Sequence, residues 1–131
     1  ERLLEAFRRR GYRTALVSTS PPILIRLAVE GLGWGRFFDL LLSSEEVGPG
    51  KPDPAVYVEA VRRLAVPPVE GVAIEDTVFG AQSAAGAGLT VIGVTSEPAR
   101  AMALRPWTVW QVSSLDAIRN DLCRAETMAR S

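Results

Sequence analysis

The 131-residue sequence contains no histidine. That absence excludes Ser-His-Asp and Cys-His catalysis, histidine-ligated zinc and imidazole proton shuttles. A single cysteine, Cys123, leaves no partner for an internal disulfide and too few thiolates for a zinc site. A reducing compartment, the cytoplasm, is the expected location. No apolar run approaches the ~20 residues of a membrane helix. Fifteen basic residues balance fifteen acidic ones, so neither a membrane nor a nucleic acid is expected as a partner. The chain opens on Glu1-Arg2-Leu3-Leu4 with neither an initiating Met nor an apolar signal core, which leads us to expect a piece of a longer parent. Lysine is nearly missing as well: Lys51 is the only one, and every other basic residue is arginine.

What is present suits one compact domain over residues 1–131, since 47% of the residues are apolar and 23% charged. Leu3, Leu4 and Phe7 share one face of an opening helix that ends in an arginine run before Gly11. Thr14-Ala15-Leu16-Val17 is apolar without alternation, the pattern of a strand covered on both faces, and Ser18 to Pro22 ends it. A helix over 22–31 and a strand over 38–43 follow. Asp53 and Pro54 supply an N-cap and a first-turn proline for a helix carrying Val56, Tyr57, Ala60, Val61 and Leu64. Further strands are expected over 71–74, 90–94 and 108–112, with a small-residue helix over 80–88 and a terminal helix from Ser114. Strands alternating with helices in this way predict an α/β fold, a Rossmann-like parallel sheet with helices on both faces.

In such sheets ligands bind beyond the carboxyl ends of the strands. Three polar groups fall there: Ser18-Thr19 after the first strand, Lys51 in Gly48-Pro49-Gly50-Lys51-Pro52 after the second, and Glu75-Asp76 after the third. Hydroxyl donors, one ammonium and two adjacent carboxylates suit a phosphate held beside a hard divalent cation such as Mg²⁺, which binds protein through few oxygen ligands. Lysine offers a compact point charge to a phosphoryl group. Each piece also has a plainer reading: Asp76-Thr77 as a helix cap, Ser18 to Ser20 as a turn, Lys51 as a solvated charge. Their coincidence at strand ends favours the phosphate site. Gly80, Gly86 and Gly88 do not make a nucleotide-binding glycine loop and are expected to allow close helix-to-sheet packing. Gly50-Lys51 lacks the remaining residues of a Walker loop. Arg8-Arg9-Arg10 is expected to be a solvated helix end.

These motifs resemble the haloacid dehalogenase-like hydrolase superfamily, its phosphatase and phosphoglucomutase-like branch. Ala15 to Ser20 resembles the family's second motif and Gly50 to Pro54 with Tyr57 its third. Ala73-Ile74-Glu75-Asp76-Thr77 through Gly80, with Ala84 to Gly88, resembles its fourth. The resemblance implies that Ser18 and the Thr19 backbone bind the transferring phosphate and that Lys51 ties it to the nucleophile. It also implies that Asp76 ligates Mg²⁺, with Glu75 a second ligand directly or through water. The implied reaction passes through an aspartyl-phosphate and takes a small phosphorylated metabolite as substrate.

In the family that the chain resembles, the nucleophile belongs to an Asp-x-Asp motif on an earlier strand, and this sequence contains no Asp-x-Asp. In the family that strand is central, between those carrying Ser18 and Asp76. Its absence implies two facing edges about 9–10 Å apart, twice the inter-strand spacing, which the missing N-terminal segment or another chain would complete. Isolated, the chain is expected to be unstable and inactive. Two readings stay open beside the phosphatase: a sugar-phosphate mutase, and a non-catalytic truncated protein that binds phosphate or serves as an interaction module. A phospho-receiver domain fits less well, because its acids precede its lysine.

Overall fold

The computed structural model describes the backbone of residues 1–129 and the side-chain surroundings of residues 1–122. The elements run α1 (Arg2–Arg9), β1 (Ala15–Ser18), α2 (Pro22–Leu32), β2 (Leu40–Ser43), α3 (Ala55–Leu64), β3 (Val72–Glu75), α4 (Val78–Gly86), β4 (Thr90–Val94), α5 (Pro98–Leu104), β5 (Trp110–Val112) and α6 (Leu115–Ala129). The expected α/β alternation is therefore present. Between β4 and β5 the structure adds α5, which apolar periodicity does not announce because only Leu104 of that helix is buried.

Local chemistry accounts for the boundaries. Pro22 opens α2 at its first helical position, and Gly33 closes it with φ +67°, a left-handed conformation that side chains disfavour. Thr77 caps α4 by accepting a hydrogen bond from the Gly80 N–H at 3.1 Å. Pro54, not Asp53, is the residue preceding α3, yet Asp53 still serves the helix: its Oδ1 accepts from the Ala55 N–H at 2.9 Å. Arg8 is not simply solvated, since it donates to Asp39 Oδ2 at 2.6 Å and ties α1 to the entry of β2.

The sheet is divided where the absent central strand leaves a gap, as the resemblance implies. All pairings are parallel, but they form two sheets: β1 pairs only with β2, and β3-β4-β5 make a separate three-stranded sheet. Nothing among the described residues supplies a strand between β1 and β3, so each keeps one edge without a ladder partner. The consequence is visible in β1, where none of the four residues reaches full burial, unlike the doubly covered strand expected there. The two sheets are joined through helices. α3 packs on β1 and β2 and also touches α4, which covers β3 and β4. Leu42, Val56, Ala81, Ala84, Val91 and Leu104 are almost completely buried and belong to one core spanning both sheets. Alanines on α4 permit that approach, because larger side chains would hold the helix away from the strands.

Candidate active site

The carboxyl ends of both sheets meet through the loop between β2 and α3. Lys51 lies in that loop, and its Nζ donates to Glu75 Oε1 at the end of β3 over 2.6 Å. The two side chains retain only 12% and 7% of their exposure. Tyr57, in the first turn of α3, donates its hydroxyl to the same Oε1, and the Lys51 ammonium stands 5.1 Å from the centre of the Tyr57 ring. Burial first, and then the negative charges of Glu75 and Asp76, push the Tyr57 hydroxyl well above its ordinary pKa. It therefore acts as a proton donor, not as a phenolate.

Secondary contacts hold this cluster in place. Ser83 of α4 donates from Oγ to the Asp53 carbonyl at 2.6 Å, anchoring the end of the Lys51 loop. Gly80 faces the Glu75 carboxylate so closely that a Cβ at position 80 would collide with it. The helix-packing role expected for Gly80 is thus specific: it makes room for one side chain of β3. Removing one partner of a buried ion pair typically costs about 3–5 kcal/mol, and an orphaned buried hydroxyl about 1–3. These magnitudes favour Glu75 remaining where both donors reach it.

Ser18 ends β1, opposite Ser43 at the end of β2. Its Oγ accepts from the Ser20 N–H at 3.1 Å, and the buried Ser43 Oγ donates to the Ser20 carbonyl at 2.6 Å. The 18–20 turn is consequently braced from β2. Thr19 is exposed. Ser43 escaped the sequence reading of the site, although Ser43-Ser44-Glu45-Glu46 carries the signal of a capping box. The Glu45 N–H donates to Ser43 Oγ at 3.2 Å, and the Ser43 N–H donates to Glu46 Oε2 at 2.9 Å.

Among the predicted residues, Lys51 and Glu75 are in direct contact. Ser18, Thr19 and Asp76 lie at strand ends, and no hydrogen bond or ion pair links any of the three to Lys51. Asp76 is exposed and has no hydrogen bond or ion pair. A free carboxylate at a strand end fits one ligand position of a hard cation such as Mg²⁺. Glu75 fits that task less well, with Oε1 engaged by two donors. Among the described residues no group of three or more His, Cys, Asp or Glu side chains is arranged to hold a metal ion. No helix among the described residues is long and apolar enough to cross a membrane.

This geometry defines the class: a Rossmann-like α/β protein whose polar chemistry gathers at the carboxyl ends of parallel strands. A family profile described as haloacid dehalogenase-like hydrolase matches residues 1–88. The chain belongs to that family. It is 36% identical over 98 residues to a bifunctional riboflavin kinase/FMN phosphatase of Arabidopsis thaliana, covering 74% of this chain and 26% of that protein. It is 38% identical over 93 residues to protein CbbY of Cereibacter sphaeroides, covering 69% of this chain and 40% of that one. Among solved structures, a HAD family hydrolase from Deinococcus radiodurans, with bound phosphate and sodium, superposes with a TM-score of 0.81 at 27% identity. That match covers 95% of this chain and 57% of the other. The chain spans well under half the length of these two curated relatives.

Proposed function

We propose that the chain is the phosphate-holding part of a Mg²⁺-dependent phosphohydrolase acting on a small phosphorylated metabolite in the cytoplasm. The observation carrying this reading is the buried Lys51–Glu75 contact, which brings an ammonium from the β2 side to the end of β3. Phosphatases among the relatives support it. Ser18 Oγ and the Thr19 N–H donate to the non-bridging oxygens of the transferring phosphate, and Lys51 offsets the charge that builds on them. Asp76 is the carboxylate that would hold Mg²⁺. Bound there, the cation would polarise the phosphoryl group and neutralise part of its charge.

The nucleophilic carboxylate comes from a strand seated against the open edges of β1 and β3, belonging to a further segment of the protein or to another chain. Its oxygen forms a bond to phosphorus as the bond to the ester oxygen breaks, and a second carboxyl group on that same further strand gives the departing oxygen its proton. Water then attacks phosphorus, releasing phosphate and restoring the carboxylate. The 131 residues contain no Asp-x-Asp, so the chain alone binds phosphate without turning it over.

The test is hydrolysis of p-nitrophenyl phosphate by the protein encoded with its upstream sequence, with Mg²⁺ and with chelator. Chelation should abolish turnover, and Asp76→Ala and Ser18→Ala should each lower kcat by about 100-fold or more. Full activity in Asp76→Ala would reject the metal assignment. Hydrolysis by residues 1–131 alone would reject the requirement for a further strand.

A further inference from the structure

We infer that Tyr57 is a positioning residue for Lys51, acting through Glu75, and that the space left by Gly80 completes the seat. The inference rests on the reading of Lys51 as the phosphate-facing cation, and it assigns Glu75 to Lys51, not to a metal. Three observations converge. Glu75 Oε1 accepts from both the Tyr57 hydroxyl and Lys51 Nζ. The Tyr57 ring flanks the ammonium at 5.1 Å from its centroid. Gly80, held in the first turn of α4 by Thr77, leaves the space that the Glu75 carboxylate fills.

The elements involved are independent: the loop before α3, the first turn of α3, the end of β3 and the first turn of α4. Their agreement on one carboxylate confines a side chain that would otherwise sample several rotamers. A lysine has four rotatable carbons and a point charge without preferred direction. Fixing its counter-ion fixes Nζ before any phosphate arrives, which removes an ordering cost from binding. Glu75 swinging outward to meet a cation would strip the acceptor from two donors at once. With Glu75 held, Asp76 is the carboxylate of the pair left free for a cation, so the adjacent acids have separate tasks.

The sole lysine makes this directly measurable. In the chain labelled with ¹⁵N-lysine, Nζ gives one resonance, and exchange of its protons with water reports how firmly it is bonded. Tyr57→Phe keeps the ring and removes only the hydroxyl. It should speed that exchange about tenfold, the effect of losing about 1.4 kcal/mol of ordering, while circular dichroism stays unchanged. Gly80→Ala should speed it too, without touching Tyr57. On the unsubstituted chain, nuclear Overhauser effects should join the Lys51 ζ protons to the Tyr57 ring, a measurement that stands even if a variant misfolds. Unchanged exchange in a folded Tyr57→Phe, or no such Overhauser effect, overturns the inference. Neither readout needs metal, phosphate or turnover. Faster exchange in Tyr57→Phe, together with no phosphomonoester hydrolysis by the protein encoded with its upstream sequence, would therefore uphold the positioning and reject the proposed function.

Discussion

Gly80 lies against the carboxylate of Glu75 with no room between them for a methyl group. Gly80 is in a helix, where alanine is ordinarily the better residue by about 1 kcal/mol. Gly80→Ala should instead lower stability by about 1–3 kcal/mol, because the added Cβ forces Glu75 out of its seat. Urea unfolding compares the two directions. A stabilised variant would mean that the carboxylate relocates at little cost.

Lys51→Arg preserves charge and should still damage the protein. The pocket at Lys51 is nearly closed, with the Tyr57 ring on one side and a single carboxylate oxygen as acceptor. A planar, forked guanidinium matches neither feature. We expect a stability loss of about 1–3 kcal/mol by chemical denaturation, together with weaker phosphate binding by calorimetry.

Asp76→Ala should leave folding stability within about 0.5 kcal/mol, since Asp76 is exposed and holds no partner. Glu75→Ala should cost about 3–5 kcal/mol, because it leaves the Lys51 ammonium buried and unpaired. Thermal melts of the two variants side by side test whether neighbouring acids perform separate tasks.

Acid should weaken the fold through two carboxylates outside the site. Hydrogen bonds from Arg62 and then Arg63 hold Glu59 down at about 2, against an ordinary value of 4.5. The Thr14 N–H and then Arg8 hold Asp39 below its usual 3.8. A carboxyl whose folded pKa is depressed contributes stability above its unfolded pKa and loses it as pH falls toward the folded one. For Glu59 the loss falls between about pH 4.5 and 2. Glu59→Gln and Asp39→Asn should each flatten the acid limb of a stability-versus-pH curve, and an unchanged slope would contradict the assignment.

Amide exchange tests the divided sheet. Alternate N–H groups of Ala15–Ser18 and Val72–Glu75 point away from β2 and β4 and have no ladder partner. They should exchange rapidly in the 131-residue chain and slow by at least about tenfold once a strand occupies the gap, since each gains a backbone hydrogen bond. Equal exchange in both forms would argue against a strand seated there.

Much of this was legible in residue order. Apolar runs and the polar or turn residues after them locate β1 through β5, because parallel strands need continuous apolar segments. The sole lysine and the adjacent acids mark the rim by composition alone. The braces were less legible: the role of Ser43 requires β2 to lie beside β1, and that of Tyr57 requires the first turn of α3 to meet the end of β3. Both are contacts between residues far apart in the chain.

The sequence by itself determined the alternation of strands and helices, the family, and which side chains carry hydroxyl, ammonium and carboxylate chemistry. Those properties follow from local periodicity and residue type. Only the tertiary structure decided that Glu75 meets Lys51 while Asp76 stands exposed. Two neighbouring carboxylates at the end of a strand look alike in sequence. Strand alternation turns one into the interior and the other to solvent, and the donors waiting on α3 and its preceding loop settle what the inner one does.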